Sequence, residues 1–336
     1  MLDRVPGEAN LYIGGLFTLK RKEALKEANI THVLSILTLP LDRALFEDSQ
    51  HLAIDVDDDE DADIIQHFPA CNAFIQEGLR GGGGVLVHCA MGKSRSATAI
   101  IAHLLSTHPT HHTPTTALTL LRRCRPLCEP NPGFMTQLHL YHRMRCPDDI
   151  ASHPQYQRWC WERARKESLQ LGQPPGSEFI LFEDEVAGEE GKDRGGEVEG
   201  EKEEGEEKGK NAETVEEYRC RRCRTSLGNS HFRIPHTPPT PPHNSNKNTT
   251  IDTARECSHL FLSPLSWMRP TLSEGNLEGR LECPNGKCGQ NVGKYAWQGM
   301  KCSCGEWVVP GISVGRGRVD VVNVVGRKKR GGEGRI

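Results

Sequence analysis

The sequence predicts an α/β domain over residues 1–150, its central sheet flanked by helices, and a small β-rich domain over residues 218–325. Three observations carry this expectation. Short strand-like runs alternate with helix-like segments through the first 150 residues, the pattern of an α/β domain. Seven of the 13 cysteines crowd the last third, mostly as close pairs, where helical periodicity is weak and turn residues abound. Between these parts runs GEEGKDRGGEVEGEKEEGEEKGK, and a block of like charge with interspersed glycine does not bury a core.

In chain order, Leu11 to Ile13 and Val33 to Leu37 read as short strands. The stretch from Ile64 to Leu79 reads as a helix that Pro69 must start or kink. Val85, Leu86 and Val87 follow a glycine cluster, Gly81 to Gly84, and form the short apolar run of a buried central strand. Ala97, Ile100, Ile101, Leu104 and Leu105 then recur at helical spacing. Thr116 to Cys124 and Pro132 to Arg145 predict two more helices, the second with Asn131 as N-cap and Pro132 in its first turn. Residues 151–182 carry Tyr156, Trp159, Trp161 and Phe179 to Phe182, and read either as packing on the first domain or as a transition. Residues 183–217 read as a solvated acidic linker and 326–336 as a basic tail. Within the cysteine-rich part, Thr237 to Pro242 and Asn244 to Thr250 have the composition of an inserted disordered loop.

A length of 336 residues accommodates two domains, and a hydrophobic fraction of 36% leaves part of the chain without a core. No basic start leads into a long apolar stretch, so no secretory signal is expected. The longest apolar run, Thr98 to Leu105, is too short to span a bilayer, and a soluble intracellular chain without a membrane partner is expected. In a reducing compartment the cysteines serve as thiols, nucleophiles or metal ligands. Sixteen acidic against five basic residues between 183 and 217 make the remainder of the chain net positive, which suits anionic partners.

The string VLVHCAMGKSRSAT places Cys89 directly after the buried strand and Arg95 six residues on, at the mouth of a helix. A tight loop joining strand to helix turns its backbone N–H groups inward and, with the helix N-terminus, forms an anion cradle. Residues Ala90, Met91, Gly92, Lys93, Ser94 and Arg95 would line it, with Arg95 adding a planar bidentate donor for two phosphate oxygens. The same positive surroundings stabilise a thiolate on Cys89, which can attack phosphorus without a metal or a separate base. Ser96 could hydrogen-bond that thiolate and assist its departure as leaving group, while His88 would hold the loop. Lys93 reads equally as an exposed lysine or as a contact to substrate. Cleavage of a phosphate ester also needs an acid for the departing oxygen. The candidates are the carboxylates of Asp55, Asp57, Asp58, Asp59, Glu60 and Asp61, whose crowding would raise one another's pKa values.

HCAMGKSRS resembles the signature of the dual-specificity protein phosphatases within the protein tyrosine phosphatase superfamily. Leu11-Tyr12-Ile13-Gly14-Gly15, Thr31 to Leu37 and Asn131-Pro132-Gly133-Phe134 resemble that family too, over about residues 5 to 145. The resemblance implies a protein tyrosine phosphatase-like fold, Cys89 as nucleophile, Arg95 as phosphate ligand, and an upstream aspartate as general acid. Spacing against the family pattern places that acid on Asp58, with Asp57 as the neighbouring candidate. The pairs Cys220/Cys223 and Cys302/Cys304, with Cys257, Cys283, Cys288 and the closing Gly317-Arg318-Val319-Asp320, extend the resemblance to the YVH-type phosphatases across nearly the whole chain.

Zinc takes thiolate and imidazole in tetrahedral sets of four, and a region with so little apolar periodicity needs such staples. Cys220, Cys223, Cys257, Cys283, Cys288, Cys302 and Cys304 with one histidine make eight ligands, hence two closed, structural sites. The resemblance puts the histidine on His236, with His231, His243 and His259 as competitors. It further implies phosphoprotein substrates carrying phosphotyrosine, phosphoserine or phosphothreonine, a cysteinyl-phosphate intermediate, and no cofactor for catalysis. It also implies a part in assembly of the large ribosomal subunit through the zinc domain, hence pre-ribosomal particles as partners and a cytoplasmic and nuclear location. Arg327-Lys328-Lys329-Arg330 could serve nuclear import or RNA contact, or be a solvated tail. Two other readings compete. One is an assembly factor whose phosphatase activity is dispensable. The other is a lipid or RNA phosphatase, which the extra loop charge of Lys93 would suit.

Overall fold

The computed structural model describes residues 2–190, 214–236 and 257–325. It divides into two compact units, Met1–Tyr156 and Gln157–Ile336. The first has the expected α/β architecture. Its five strands are β1 (Leu2–Arg4), β2 (Leu11–Gly15), β3 (Ile30–Ile36), β4 (Gln50–Ile54) and β5 (Gly84–Cys89), in the order β1-β2-β5-β3-β4. Strand β5 runs parallel to both neighbours, with Gly15 opposite Cys89 and Ser35 opposite His88. Every residue of β5 is buried, which is why its sequence reads as a continuous apolar run and not as an alternation.

Helices α1 (Lys22–Glu27), α2 (Phe68–Arg80), α3 (Arg95–Thr107), α4 (Pro114–Arg122) and α5 (Pro132–Arg143) complete the unit. Pro69 stands in the first turn of α2, after a short 3-10 turn at Ile65–His67, so it starts the helix without breaking it. Helix α3 is buried from Arg95 to Leu105, so it is the central helix of the unit and fixes the exit of the Cys89 loop. Asn131 caps α5 by accepting from the Phe134 N–H at 2.8 Å.

The second unit begins with α6 (Pro154–Leu171), which straddles the boundary, and α7 (Glu183–Glu190). Its strands are β6 (Thr214–Cys220), β7 (Ser226–Asn229), β8 (His259–Phe261), β9 (Glu278–Glu282), β10 (Asn291–Ala296), β11 (Met300–Lys301), β12 (Trp307–Val308), β13 (Gly311–Gly315) and β14 (Val319–Val325), with a short helix α8 (Arg269–Leu272). They form antiparallel sheets β8-β13-β10-β9, β14-β6-β7 and β11-β12.

Two expectations about the middle of the chain are corrected. The stretch 151–182 is not a mere transition. Trp161, Ile180, Leu181 and Phe182 are buried in one cluster with Tyr218, Tyr295 and Trp297 of the second unit, because that unit's small sheets need large side chains to fill the space beneath them. The acidic stretch does not begin at 183. Residues 183–190 are helical, and Val186 joins the same core. The carboxylates there have specific partners: Glu183 with Arg158 at 3.0 Å, Asp184 with the Ser266 N–H at 2.8 Å, and Glu185 with Arg269 at 2.5 Å. At its other end the stretch stops early, since 214–217 pair with β14. The rest of the expected linker (191–213), the Pro- and Asn-rich loop and the basic tail with Arg327 to Arg330 lie outside the described residues. Among the described residues no helix is long and apolar enough to cross a membrane.

Candidate active site and candidate metal centres

The loop from Cys89 to Arg95 has its carbonyls tied down from outside. Ala90 O accepts from Leu16 N at 3.0 Å and Lys93 O from Glu129 N at 2.9 Å. Gly92 O accepts from Arg125 Nε at 2.7 Å and Met91 O from Arg125 Nη2 at 2.8 Å. With four successive carbonyls held outward, the peptide planes aim their N–H groups at the loop centre, where anions bind. Gly92 has φ +69°, and a Cβ there would lie 2.4 Å from Gly14 O, so only glycine fits.

Cys89 Sγ lies at the floor of this cradle, 3.2 Å from Gly92 N and 3.3 Å from Ser96 Oγ. Burial by itself pushes the thiol pKa up. The hydrogen bonds from the Ser96 hydroxyl and from the N–H groups of Ser96, Lys93 and Gly92 outweigh burial and hold it below the ordinary thiol value. At Cys71 and Cys128 burial prevails and pushes the thiol up to about 12.

Arg95 starts α3 with its side chain almost fully enclosed. Nη1 donates to Val56 O at 3.0 Å, and Nε stands 3.8 Å from Asp58 Oδ2. Among the described residues that buried Nε–H has no hydrogen-bond partner, and it is placed to donate to an oxyanion in the cradle. Asp58 Oδ1 accepts from Ser94 Oγ at 2.6 Å and from Asn131 Nδ2 at 3.1 Å. Ser94 Oγ in turn accepts from Asn131 N at 3.2 Å. Asp57, the neighbouring candidate, is exposed and makes no hydrogen bond or ion pair to the loop among the described residues.

His88 Nε2 lies 2.6 Å from Ser35 Oγ, which also lies 2.8 Å from His51 Nε2. Burial lowers the His88 pKa to about 4, so the ring is neutral near pH 7 and bridges β5 to β3. The Lys93 ammonium pairs with Glu129 at 2.6 Å, away from the cradle, because the loop's outer side is where a partner carboxylate lies. Its backbone N–H faces the Cys89 sulfur.

Arg125 and Asp3 escaped the sequence reading. Arg125 Nη1 donates to Asp3 Oδ2 at 2.5 Å, so β1 at the sheet edge anchors the side chain that shapes the loop. RRCRP contains several arginines, and nothing in the string distinguishes Arg125 from Arg122 and Arg123. Ser35 and Asn131 likewise act through tertiary contacts that no local pattern signals.

In the second unit two four-ligand clusters form, Cys220/Cys223/Cys283/Cys288 and His236/Cys257/Cys302/Cys304, the ligand atoms of each within 4.8 Å of one another. Cys220 and Cys288 sulfurs are 3.8 Å apart, those of Cys223 and Cys283 3.4 Å, and His236 Nε2 is 3.1 Å from Cys302 Sγ. A tetrahedral ion with metal–sulfur bonds of about 2.3 Å requires sulfur–sulfur separations of about 3.8 Å, so both donor sets fit such an ion. Sharp turns bring each pair together: Arg224 N returns to Cys220 O at 2.8 Å and Gly305 N to Cys302 O at 3.0 Å. The wide Cys283–Cys288 spacing is absorbed by a turn in which Cys288 N donates to Asn285 O at 2.7 Å. Of the competing histidines, His259 lies beside Ser258 Oγ at 3.0 Å, His231 belongs to neither cluster, and His243 lies outside the described residues.

Comparison with known proteins agrees with this geometry. A family model described as the catalytic domain of dual specificity phosphatases matches residues 11–144. The chain is similar to tyrosine-protein phosphatase yvh1 of Schizosaccharomyces pombe, 31% identical over 94% of this chain and 84% of that protein. It is similar to tyrosine-protein phosphatase YVH1 of Saccharomyces cerevisiae, 32% identical over 92% of this chain and 89% of that one. Dual specificity protein phosphatase 12 of Homo sapiens is 29% identical, over 97% of this chain and 89% of its own length.

Proposed function

We propose the function of this chain from one premise: it belongs to the YVH1 family of dual-specificity phosphatases and is a protein phosphatase. We infer that it hydrolyses phosphotyrosine and phosphoserine or phosphothreonine in proteins through a phosphocysteine on Cys89. The observation that supports this reading best is the Cys89 sulfur inside a ring of N–H donors, beside a buried Arg95 Nε–H with no hydrogen-bond partner among the described residues. The substrate phosphate fills the ring and accepts from the loop N–H groups and from Arg95. Cys89 thiolate attacks phosphorus as the P–O ester bond breaks. Asp58 Oδ1 is committed to Ser94 and Asn131, which leaves Oδ2 to carry the proton to the departing oxygen. Asp58, now ionised, takes a proton from water, the hydroxyl attacks the phosphocysteine, and the S–P bond breaks. Ser96 donates to the sulfur as it regains its charge. Phosphate leaves and Asp58 is again protonated. Cys89→Ser should abolish turnover of a phosphopeptide and still bind it, since serine does not ionise near neutral pH. Turnover within tenfold of the unaltered protein would overturn the assignment.

The two clusters hold structural zinc in this reading, since all eight donors are thiolate or imidazole and no position is left for water. Their part is folding, and the thiolate chemistry needs no metal. A second reading assigns the second unit to assembly of the large ribosomal subunit, with pre-ribosomal particles and RNA as partners and the protein in both cytoplasm and nucleus. It is favoured by the exposed cations Arg222, Arg280, Lys287, Lys294 and Lys301 on that unit, which suit a phosphate backbone. Binding of ribosomal RNA fragments by the full chain, weakening steeply with salt, checks it; binding without salt dependence counts against it.

A further inference from the structure

Charge divides unevenly between the two units. Residues 1–156 contain eighteen acidic and fourteen basic residues, so the unit that holds the phosphate cradle is itself net negative. Six of those carboxylates, Asp55, Asp57, Asp58, Asp59, Glu60 and Asp61, fall within the seven residues that follow β4. The placement of that segment at the cradle is fixed by three ties: Arg95 to Val56 O, and Ser94 and Asn131 to Asp58. A glycine is required at 133 because the Glu60 backbone lies against it. The segment that carries these carboxylates therefore runs along the Ser94–Arg95 side of the opening. Asp57 and Glu60 are exposed and have no ion pair among the described residues.

The opposite side is different. There the loop rests on Gly14 to Leu16, and the side chains that project are Phe17 and Met91, 74% and 71% exposed. The one cation within the loop besides Arg95 is Lys93, and Glu129 neutralises it at 2.6 Å. A polyanion, with several phosphates near the cleaved one, would meet carboxylates on one side and no free cation from the loop. A phosphorylated peptide with lysine or arginine near the phosphoresidue would meet complementary charge.

We propose that the carboxylate wall at Asp57 to Glu60 selects phosphoprotein segments with basic residues beside the phosphorylated side chain, and disfavours polyanionic phosphate esters. This rests on the protein phosphatase reading above. Each exposed charge pair contributes little, and several acting together give roughly tenfold discrimination.

The test uses the full chain and two phosphothreonine peptides of equal length, one with lysines on both sides and one with glutamates. The lysine peptide should show about tenfold higher kcat/KM at low salt, and high salt should compress that ratio. The double variant Asp59→Asn/Glu60→Gln keeps the turn bond from Asp61 N to the residue-59 side chain and removes two charges. It should cut the ratio to about threefold and leave turnover of a small aryl phosphate, which has no flanking residues, unchanged. Equal kcat/KM for the two peptides in the unaltered protein overturns the preference and leaves the phosphatase reading standing. A ratio undiminished in the double variant overturns the assignment to this wall. Aryl phosphate turnover with neither peptide cleaved, or faster cleavage of a phosphoinositide vesicle or a 5′-triphosphate RNA, overturns the protein phosphatase reading itself.

Discussion

Replacing Arg125 by alanine removes three hydrogen bonds at once, to Gly92 O at 2.7 Å, Met91 O at 2.8 Å and Asp3 Oδ2 at 2.5 Å. It leaves two loop carbonyls without their donors and an enclosed Asp3 carboxylate, 15% exposed, without its cation. Breaking a buried pair from one side costs about 3–5 kcal/mol, which is a large part of the stability of a typical domain. The functional consequence is separate from that loss. Without Arg125 the Met91 and Gly92 peptides can rotate, and the N–H groups that lower the Cys89 pKa no longer converge. The thiol pKa should climb towards the ordinary value of about 8.5. A cradle displaced by about 1 Å should lower kcat/KM by about 100-fold. Iodoacetamide alkylation of Cys89 as a function of pH reads the thiol directly, below the variant's unfolding temperature. The inflection should move up in Arg125→Ala. In Asp3→Asn, where the Arg125 bonds to the loop persist, it should move little. A folded Arg125→Ala protein with unshifted alkylation and kcat/KM within threefold would refute the idea that Arg125 shapes the loop.

Asp58→Asn should lower kcat on a phosphothreonine peptide by about 100-fold, and far less on an aryl phosphate whose leaving group needs no proton; Asp57→Asn giving that pattern instead would move the acid by one residue. A strong chelator should remove about two zinc ions per chain, from eight ligands taken four at a time, and unfold the second unit. Elemental analysis and aryl phosphate turnover on one sample should then show metal lost and activity kept; activity lost in step with metal would tie catalysis to the zinc unit. His88 and His103 are both buried, with pKa values lowered to about 4 by that burial. Because their folded values lie below the unfolded one, their contribution is complete above about pH 6.5 and falls away towards pH 4, by about 1.4 kcal/mol per pH unit for each ring. Urea unfolding followed by loss of activity should therefore show a falling midpoint across that window, and a flat midpoint would mean that neither ring is buried neutral.

Much of the first unit was legible because its signals are local. A glycine cluster, a continuous apolar run and then helical spacing define β5 and α3, and the turn between them follows from the chain direction, so Cys89, Arg95 and Ser96 meet by sequence proximity alone. The paired cysteines were legible for the same reason: a metal knuckle is a short-range turn. What the sequence could not contain was the meeting of distant segments. Asp58 and Asp57 are indistinguishable as letters; the family spacing favours Asp58, and the contacts of Ser94 and Asn131 to it exist only in the folded chain. Arg125 and Asp3 are 122 positions apart, and only the sheet edge makes them partners beneath the loop. Lys93 reads equally as an exposed lysine or a substrate contact, and its pairing with Glu129 is a tertiary contact. The stretch 183–190 reads as linker by charge, yet it folds with Val186 in the core and with Arg158, Ser266 and Arg269 as partners for Glu183, Asp184 and Glu185. Composition and periodicity report what a residue prefers in water and in its own turn. Which charge is satisfied, and by whom, is decided by long-range packing, since electrostatic and hydrogen-bond energies depend on distances that only the folded chain defines.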